Sequence, residues 1–166
     1  MNAGVTISPI TYDAALSIAR NMREGDAREI WATRWIESPE GLAADVMRAG
    51  EYGFVISLDG EPVAAIGAAP NWPNVWNVWM FSTDKWPKVA LSVTKFVRRV
   101  MIPNLYKAGA ARVHCMSIAG HSVAHRWLES LGAIKGNREP GWGKNGEDFF
   151  MFRWDRKTIE GLGYVL

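Results

Sequence analysis

A strand, a glycine break and an amphipathic helix follow one another between Ala111 and Ala133, and no other stretch restricts the fold as much. Arg112 to Ile118 reads as a strand, with Val113, Cys115 and Met116 available for burial. Ala119-Gly120 interrupts it. From His121 to Leu131 the residues Val123, Ala124, Trp127, Leu128 and Leu131 recur at the helical period and share one face. Ser122 is placed to cap this helix, and Gly132 to end it in a left-handed conformation.

The elements before it read clearly. Val5 to Pro9 is a short strand, and Thr11 caps a helix from Tyr12 to about Met22 whose stripe is Ala15, Ile18, Ala19 and Met22. Asp26 to Glu29 resembles a capping box and opens a helix carrying Ile30, Trp31 and Trp35. Ser38-Pro39 starts a third helix, running to Ala49 and stopping at Gly50. Gly53 to Leu58 and Pro62 to Ala69 are strands joined by Asp59-Gly60-Glu61, a hairpin signal. Pro70 to Asn74 is a loop, and Val75 to Ser82 is the next strand. A helix from Lys88 to about Lys107 follows, and Pro103 predicts a kink or a restart in it. Ile134 to Gly136 and Phe149 to Trp154 are the last strands, joined by a glycine-rich loop from Asn137 to Asp148.

With 166 residues, 48% of them hydrophobic, the chain suits one domain with a sizeable core. A net charge of +2 does not by itself argue for nucleic acid. The single cysteine, Cys115, excludes an internal disulfide and reads as a small core residue. Met1 to Ile7 has no basic leader pattern and no segment is long and apolar enough to cross a bilayer, so synthesis in a cytoplasm is expected.

The strand, break and helix of Arg112 to Ala133 resemble the second half of the Gcn5-related N-acetyltransferase (GNAT) family pattern, Asn-x-x-Ala-x-x-Phe-Tyr-x-x-x-Gly-Phe. Ala124, Trp127 and Gly132 match; His121, Leu128 and Ala133 depart from it. The resemblance covers Val5 to Trp154. It implies an α/β (α+β) three-layer fold: a central mixed, mostly antiparallel sheet of about six to seven strands flanked by helices. Residues 1–154 form that domain, and 155–166 form a C-terminal tail or interaction arm with an apolar end, Tyr164-Val165-Leu166.

An enzyme of this family needs three parts. One is a glycine-rich turn whose N–H groups cradle the pyrophosphate of acetyl-CoA. Here that segment, Phe81 to Lys88, has no glycine, carries Asp84, and loses an N–H at Pro87. The second is a carboxylate base on the preceding strand, where only the polar Asn77 stands. The third is a tyrosine acid, replaced by Leu128, which has no proton to give. The expectation is therefore no catalytic residue, no cofactor and, on balance, no enzyme. The alternative is an acetyl-CoA-dependent N-acetyltransferase with an atypical pyrophosphate loop. Phe81, Thr83, Lys85, Lys88 and His121 would then hold the cofactor.

Trp79 to Asp84 with Trp86, the long basic helix, and Gly120 to Ala133 also resemble a family of tailed-bacteriophage proteins with a GNAT-like core, which includes the small internal virion protein of short-tailed phages. That resemblance implies a virion assembly protein acting through contacts with other virion proteins, made in the host cytoplasm and then packaged. Nucleic acid is a weaker partner reading, through Lys95, Arg98 and Arg99, which otherwise form a solvated helix face. The tryptophans from Trp72 to Trp86 fill the core or form a contact surface. His121 and His125 lie one helical turn apart without a third ligand, so no metal site is expected; His125 reads as a surface residue.

Overall fold

Asp59 and Gly60 both adopt positive φ, 50° and 84°, in the computed structural model, which describes residues 4–163. A two-residue turn between right-twisted strands requires that backbone. It joins β2 (Gly53–Leu58) to β3 (Glu61–Trp72), antiparallel, with Val55 opposite Ala65. Val63 to Ala68 are buried without alternation, as in a strand covered on both faces. β3 continues through Pro70, where a loop was expected. Its register with β2 ends at Gly67 opposite Gly53, so on that side Pro70 forfeits no ladder bond.

Seven strands form one sheet among the described residues, in the order β1-β2-β3-β4-β5-β7-β6. The others are β1 (Val5–Pro9), β4 (Val75–Ser82), β5 (Arg112–Ile118), β6 (Ile134–Glu139) and β7 (Phe149–Asp155). β1 with β2, β5 with β7, and β6 with β7 are antiparallel. β4 and β5 are parallel, over Val75–Asn77 against Arg112–His114. The sheet is thus mixed and mostly antiparallel, as the resemblance implied. The helices are α1 (Tyr12–Arg20), α2 (Glu24–Ala32), α3 (Pro39–Val46), α4 (Trp86–Phe96), α5 (Ile102–Lys107), α6 (Ser122–Ser130) and α7 (Arg156–Gly161). The chain divides into two compact units.

The first unit comprises Met1–Trp31, Trp35–Ala69 and Val78–Lys95. Its core gathers Ile10, Ala15, Ile18, Leu42, Val46, Val55, Ala65 and Phe81. The expected caps are made: Thr11 Oγ1 accepts from the Ala14 N–H at 3.3 Å, and Ser38 Oγ from the Gly41 N–H at 3.0 Å. Helix α2 begins at Glu24, two residues ahead of Asp26, which does not cap it. Helix α3 gives way at Met47 to a 3₁₀ turn in which Gly50 takes φ 53°.

The second unit comprises Ala32–Arg34, Pro70–Asn77 and Phe96–Leu166. The kink expected at Pro103 takes the form of a π turn, Val97–Met101, that precedes α5. Proline has no N–H to give its preceding turn, and widening that turn removes the clash with the carbonyl behind it. The helix carrying Trp31 stops at Ala32, short of Trp35. Lys144 takes its last carbonyl and one just beyond it, the N–H donating to Ala32 O at 2.8 Å and Nζ to Arg34 O at 3.0 Å. Trp35 is left fully exposed. Phe149, Phe152, Val113, Leu131 and Trp154 are buried, and Trp154 Nε1 donates to Leu131 O at 3.1 Å.

Residues 156–161, within the expected C-terminal tail or interaction arm, form helix α7. Asp155 Oδ1 accepts from the Thr158 N–H at 2.7 Å, Ile159 is 2% exposed, and Arg156 Nη1 donates to Ala110 O at 3.1 Å. The Arg156 guanidinium also sits 3.8 Å from the Tyr106 ring centroid. Tyr164 to Leu166, the apolar end of the arm, lies outside the described residues.

Gly132 ends α6 at φ 90°, and a Cβ built there would stand 2.4 Å from a methyl of Leu162. Both the backbone and the space demand glycine. Gly132→Ala is expected to lower unfolding free energy by about 1–3 kcal/mol, read as a lower urea midpoint at unchanged slope.

Candidate functional site

Three residues, Thr83-Asp84-Lys85, connect β4 to α4 in the first unit. What this turn can bind depends on where its donors go. The Ser82 N–H donates to Asp26 Oδ2 at 2.8 Å, and the Ser82 hydroxyl to the same oxygen at 3.1 Å. The Thr83 N–H donates to Val63 O at 2.8 Å. The Lys85 N–H reaches Thr83 Oγ1 at 3.3 Å, the Trp86 N–H reaches Thr83 O at 3.1 Å, and the Lys88 N–H reaches Lys85 O at 3.0 Å. Pro87 has none to give. These main-chain donors are therefore engaged within the protein.

Asp26, 2% exposed, holds the turn from below. Arg23 Nε stands 2.9 Å from Asp26 Oδ2, and the Arg23 N–H donates to Ser82 O at 2.9 Å. The Arg23 guanidinium lies 5.4 Å from the ring centroid of Trp86, itself buried at the start of α4. Phe81 is a core residue stacked on Trp79 at 5.8 Å, and the Trp79 ring lies so close over Gly67 that a Cβ there would come within 2.3 Å of it. Lys85 Nζ pairs with the Glu61 carboxylate, while Asp84 and Lys88 are exposed.

Of the four residues proposed here for acetyl-CoA, then, Phe81 faces the core and Thr83 has its N–H engaged. Only Lys85 and Lys88 offer charge. The diphosphate of acetyl-CoA does not fit this turn as a main-chain cradle.

In the second unit, Gly120 at φ 91° turns β5 into α6. His121, not Ser122, is the capping residue, and its side chain makes no cap bond. His121 is buried. So is His125, read from sequence as a surface residue. Its Nε2 stands 3.0 Å from Ile118 O, which requires the proton on Nε2, and its ring packs on Phe152 at 4.9 Å and Phe150 at 5.8 Å. Burial, then the positive charge of Lys135, hold its pKa below the ordinary 6.5. Leu128 is buried and Val123, expected on the same face, is exposed. No group of three metal-ligating side chains occurs among the described residues.

A polar cluster on β5 escaped the sequence reading. Arg112 Nε donates to His114 Nδ1 at 3.1 Å and Arg112 Nη2 reaches Met151 Sδ at 2.9 Å. His114 Nε2 lies 3.2 Å from the Asn71 side-chain amide. Because Nδ1 accepts, the neutral ring carries its proton on Nε2, and the pair with Asn71 is satisfied when that amide turns its Oδ1 to the ring. Desolvation first, and Arg112 second, lower the His114 pKa and keep it neutral. Asn77 stands opposite His114 in the parallel register. The signal was the alternation Arg112-x-His114 on one strand face; Asn71 lies too far along the chain to be foreseen.

No protein-family model matches the chain, and no curated protein matches its sequence. Solved structures do match. Ard1 from Thermoplasma volcanium superposes with a TM-score of 0.72 at 12% identity, over 92% of this chain and 98% of that one. yncA from Salmonella typhimurium, solved with its cofactor acetyl-CoA, gives 0.70 at 15% identity, over 92% and 94%. A GNAT-family acetyltransferase from Bacillus anthracis gives 0.66 at 10% identity, over 93% and 96%. The fold is the GNAT acetyltransferase fold. The reading of the chain as a phage virion assembly protein is overturned by this comparison: structures that share its fold along nearly the whole chain include acetyltransferases. Departures from the family pattern at His121 and Leu128 and the glycine-free turn leave the fold intact.

His125 gives this site a pH signature. Its folded-state pKa is lowered, so the unfolded chain binds more protons as pH falls below the ordinary 6.5, and stability is lost on acidification. His114 acts in the same direction. Glu40, Asp148 and Asp155, also lowered, act only at more acid pH. Between about pH 7.5 and 5.5 the urea midpoint is expected to drop less in His125→Gln than in the parent chain. An equal drop in both would show that His125 is not the group responsible.

Proposed function

We propose that the chain is an N-acyltransferase that takes its acyl group from a pantetheine thioester, with acetyl-CoA as the reference donor. The observation that carries this reading is the likeness, over more than nine-tenths of the chain, to acetyltransferase structures, one of them solved with acetyl-CoA. In such a transfer the acceptor nitrogen bonds to the thioester carbonyl carbon, the carbon–sulfur bond breaks, the amine loses a proton and the thiolate gains one.

The chain's own residues limit how this is done. Lys85 and Lys88 are the cations at the turn that would meet the donor's phosphates, opposed by Asp84. β4 carries no carboxylate and Leu128 carries no proton, so the transferred protons pass to other groups or to water. His114, held at Nδ1 by Arg112 and with Nε2 against the Asn71 side-chain amide, has no free nitrogen with which to act as a base. His121 keeps its place at the head of α6 as a proposed contact for the donor.

Acetyl-CoA titration followed by thermal unfolding tests the reading. A native-state ligand stabilises by about 2.7 kcal/mol at a hundredfold excess over its Kd, so a saturable rise in Tm of several degrees is expected. Lys88→Glu is expected to need more acetyl-CoA for the same rise. No rise with millimolar acetyl-CoA or acetyl-pantetheine, together with no thiol released in the presence of a panel of amines, would overturn the proposal.

A further inference from the structure

Building on the transferase reading, we infer that the preferred donor is an acyl-pantetheine thioester borne by an acidic carrier protein, and that this carrier docks on the outward face of α4. Two independent observations lead there. The first is the turn before α4. The N–H groups of Ser82, Thr83, Lys85, Trp86 and Lys88 are engaged by Asp26, Val63, Thr83 and Lys85, proline removes another, and the Asp84 N–H that remains belongs to a residue carrying a negative charge. The adenosine diphosphate half of coenzyme A therefore meets two ammonium groups, one already paired with Glu61, and no main-chain cradle. A phosphopantetheine arm on a carrier has the same thioester, amides and length as that of coenzyme A, but ends in a single phosphodiester. It asks of this turn only what the turn has.

The second observation is the helix that follows. Val89, Ser92 and Val93 face the core. On the opposite side Lys88, Leu91 and Lys95 are all exposed, spaced three and four residues apart, and so form one stripe. Leu91 is 59% exposed, with a lysine a turn before and a turn after it. A leucine bracketed by lysines on a rigid helix offers an apolar anchor with a cationic rim. The complement is an acidic helix with an apolar ridge, which is the surface a carrier protein presents beside its pantetheine serine. Asp84, at the end of the stripe next to the turn, is the one exposed acid on the connection and sets the direction in which the acidic partner lies, away from it.

The test uses the full chain and calorimetry with three probes: acetylated holo-acyl carrier protein, the same carrier without its pantetheine arm, and acetyl-CoA. The acetylated carrier is expected to bind at least about tenfold more tightly than acetyl-CoA, and the armless carrier to keep part of that affinity. Raising salt is expected to weaken the carrier more than acetyl-pantetheine. Leu91→Asp and Lys95→Glu, both at exposed positions, are expected to cost the carrier about tenfold or more while leaving acetyl-pantetheine affinity and Tm unchanged. Acetyl-CoA binding as tightly as the acetylated carrier, or carrier binding indifferent to both substitutions, would overturn the inference and leave the transferase reading standing. Failure of every thioester probe to bind would remove both.

Discussion

One buried carboxylate organises the turn between β4 and α4. Asp26 is taken out of water, and an isolated charge there would cost several kcal/mol. It is compensated by the Ser82 N–H and hydroxyl and by the Arg23 guanidinium. Charge-assisted bonds of this kind are stronger and shorter than neutral ones. The same Arg23 covers Trp86 and returns its own N–H to Ser82 O. One acid thereby ties the first turn of α2 to the last residue of β4 and the first of α4. The rigidity of that junction and the engagement of its donors have the same cause. A turn organised around an internal anion has little left with which to grip an external one.

This explains how the GNAT fold and a β4–α4 turn without glycine coexist. The sheet order, the short parallel register between β4 and β5, and the strand–glycine–helix run into α6 are set by hydrophobic burial and main-chain pairing. None of these depends on glycines at the β4–α4 turn. The donor grip is a local device grafted onto the fold, and it can change while the fold persists.

The features legible in the sequence were those whose partners lie a few residues away. Thr11 and Ser38 cap helices whose donors are three residues on. Asp59-Gly60 and Gly132 announce positive φ in their own residue types. What the sequence hid was held by distant groups. Asp26 looked like a helix cap because its true partner, Ser82, is 56 residues away. His125 looked exposed because the Phe150 and Phe152 rings that cover it belong to another strand. Helix α2 ends before Trp35 because Lys144, from a distant loop, takes its last carbonyl and one just beyond it. Residues 156–161 lack a long apolar stripe, and their helix is fixed by a cap at Asp155 and by Arg156 bridging to Ala110 and Tyr106.

The π turn at Val97–Met101 has a consequence for how this chain tolerates change in length. A π turn holds one residue more than the α-helix that would span the same height, so it marks an insertion the fold has absorbed. Removing one residue there would restore an ordinary α-turn and leave the residues on either side facing as they do, so Ile102 and Leu105 would stay buried. Removing one from the regular turns of α4 would instead rotate everything after it by about 100°. The π turn is thus a place where this rod can lose a residue without turning its buried stripe outward.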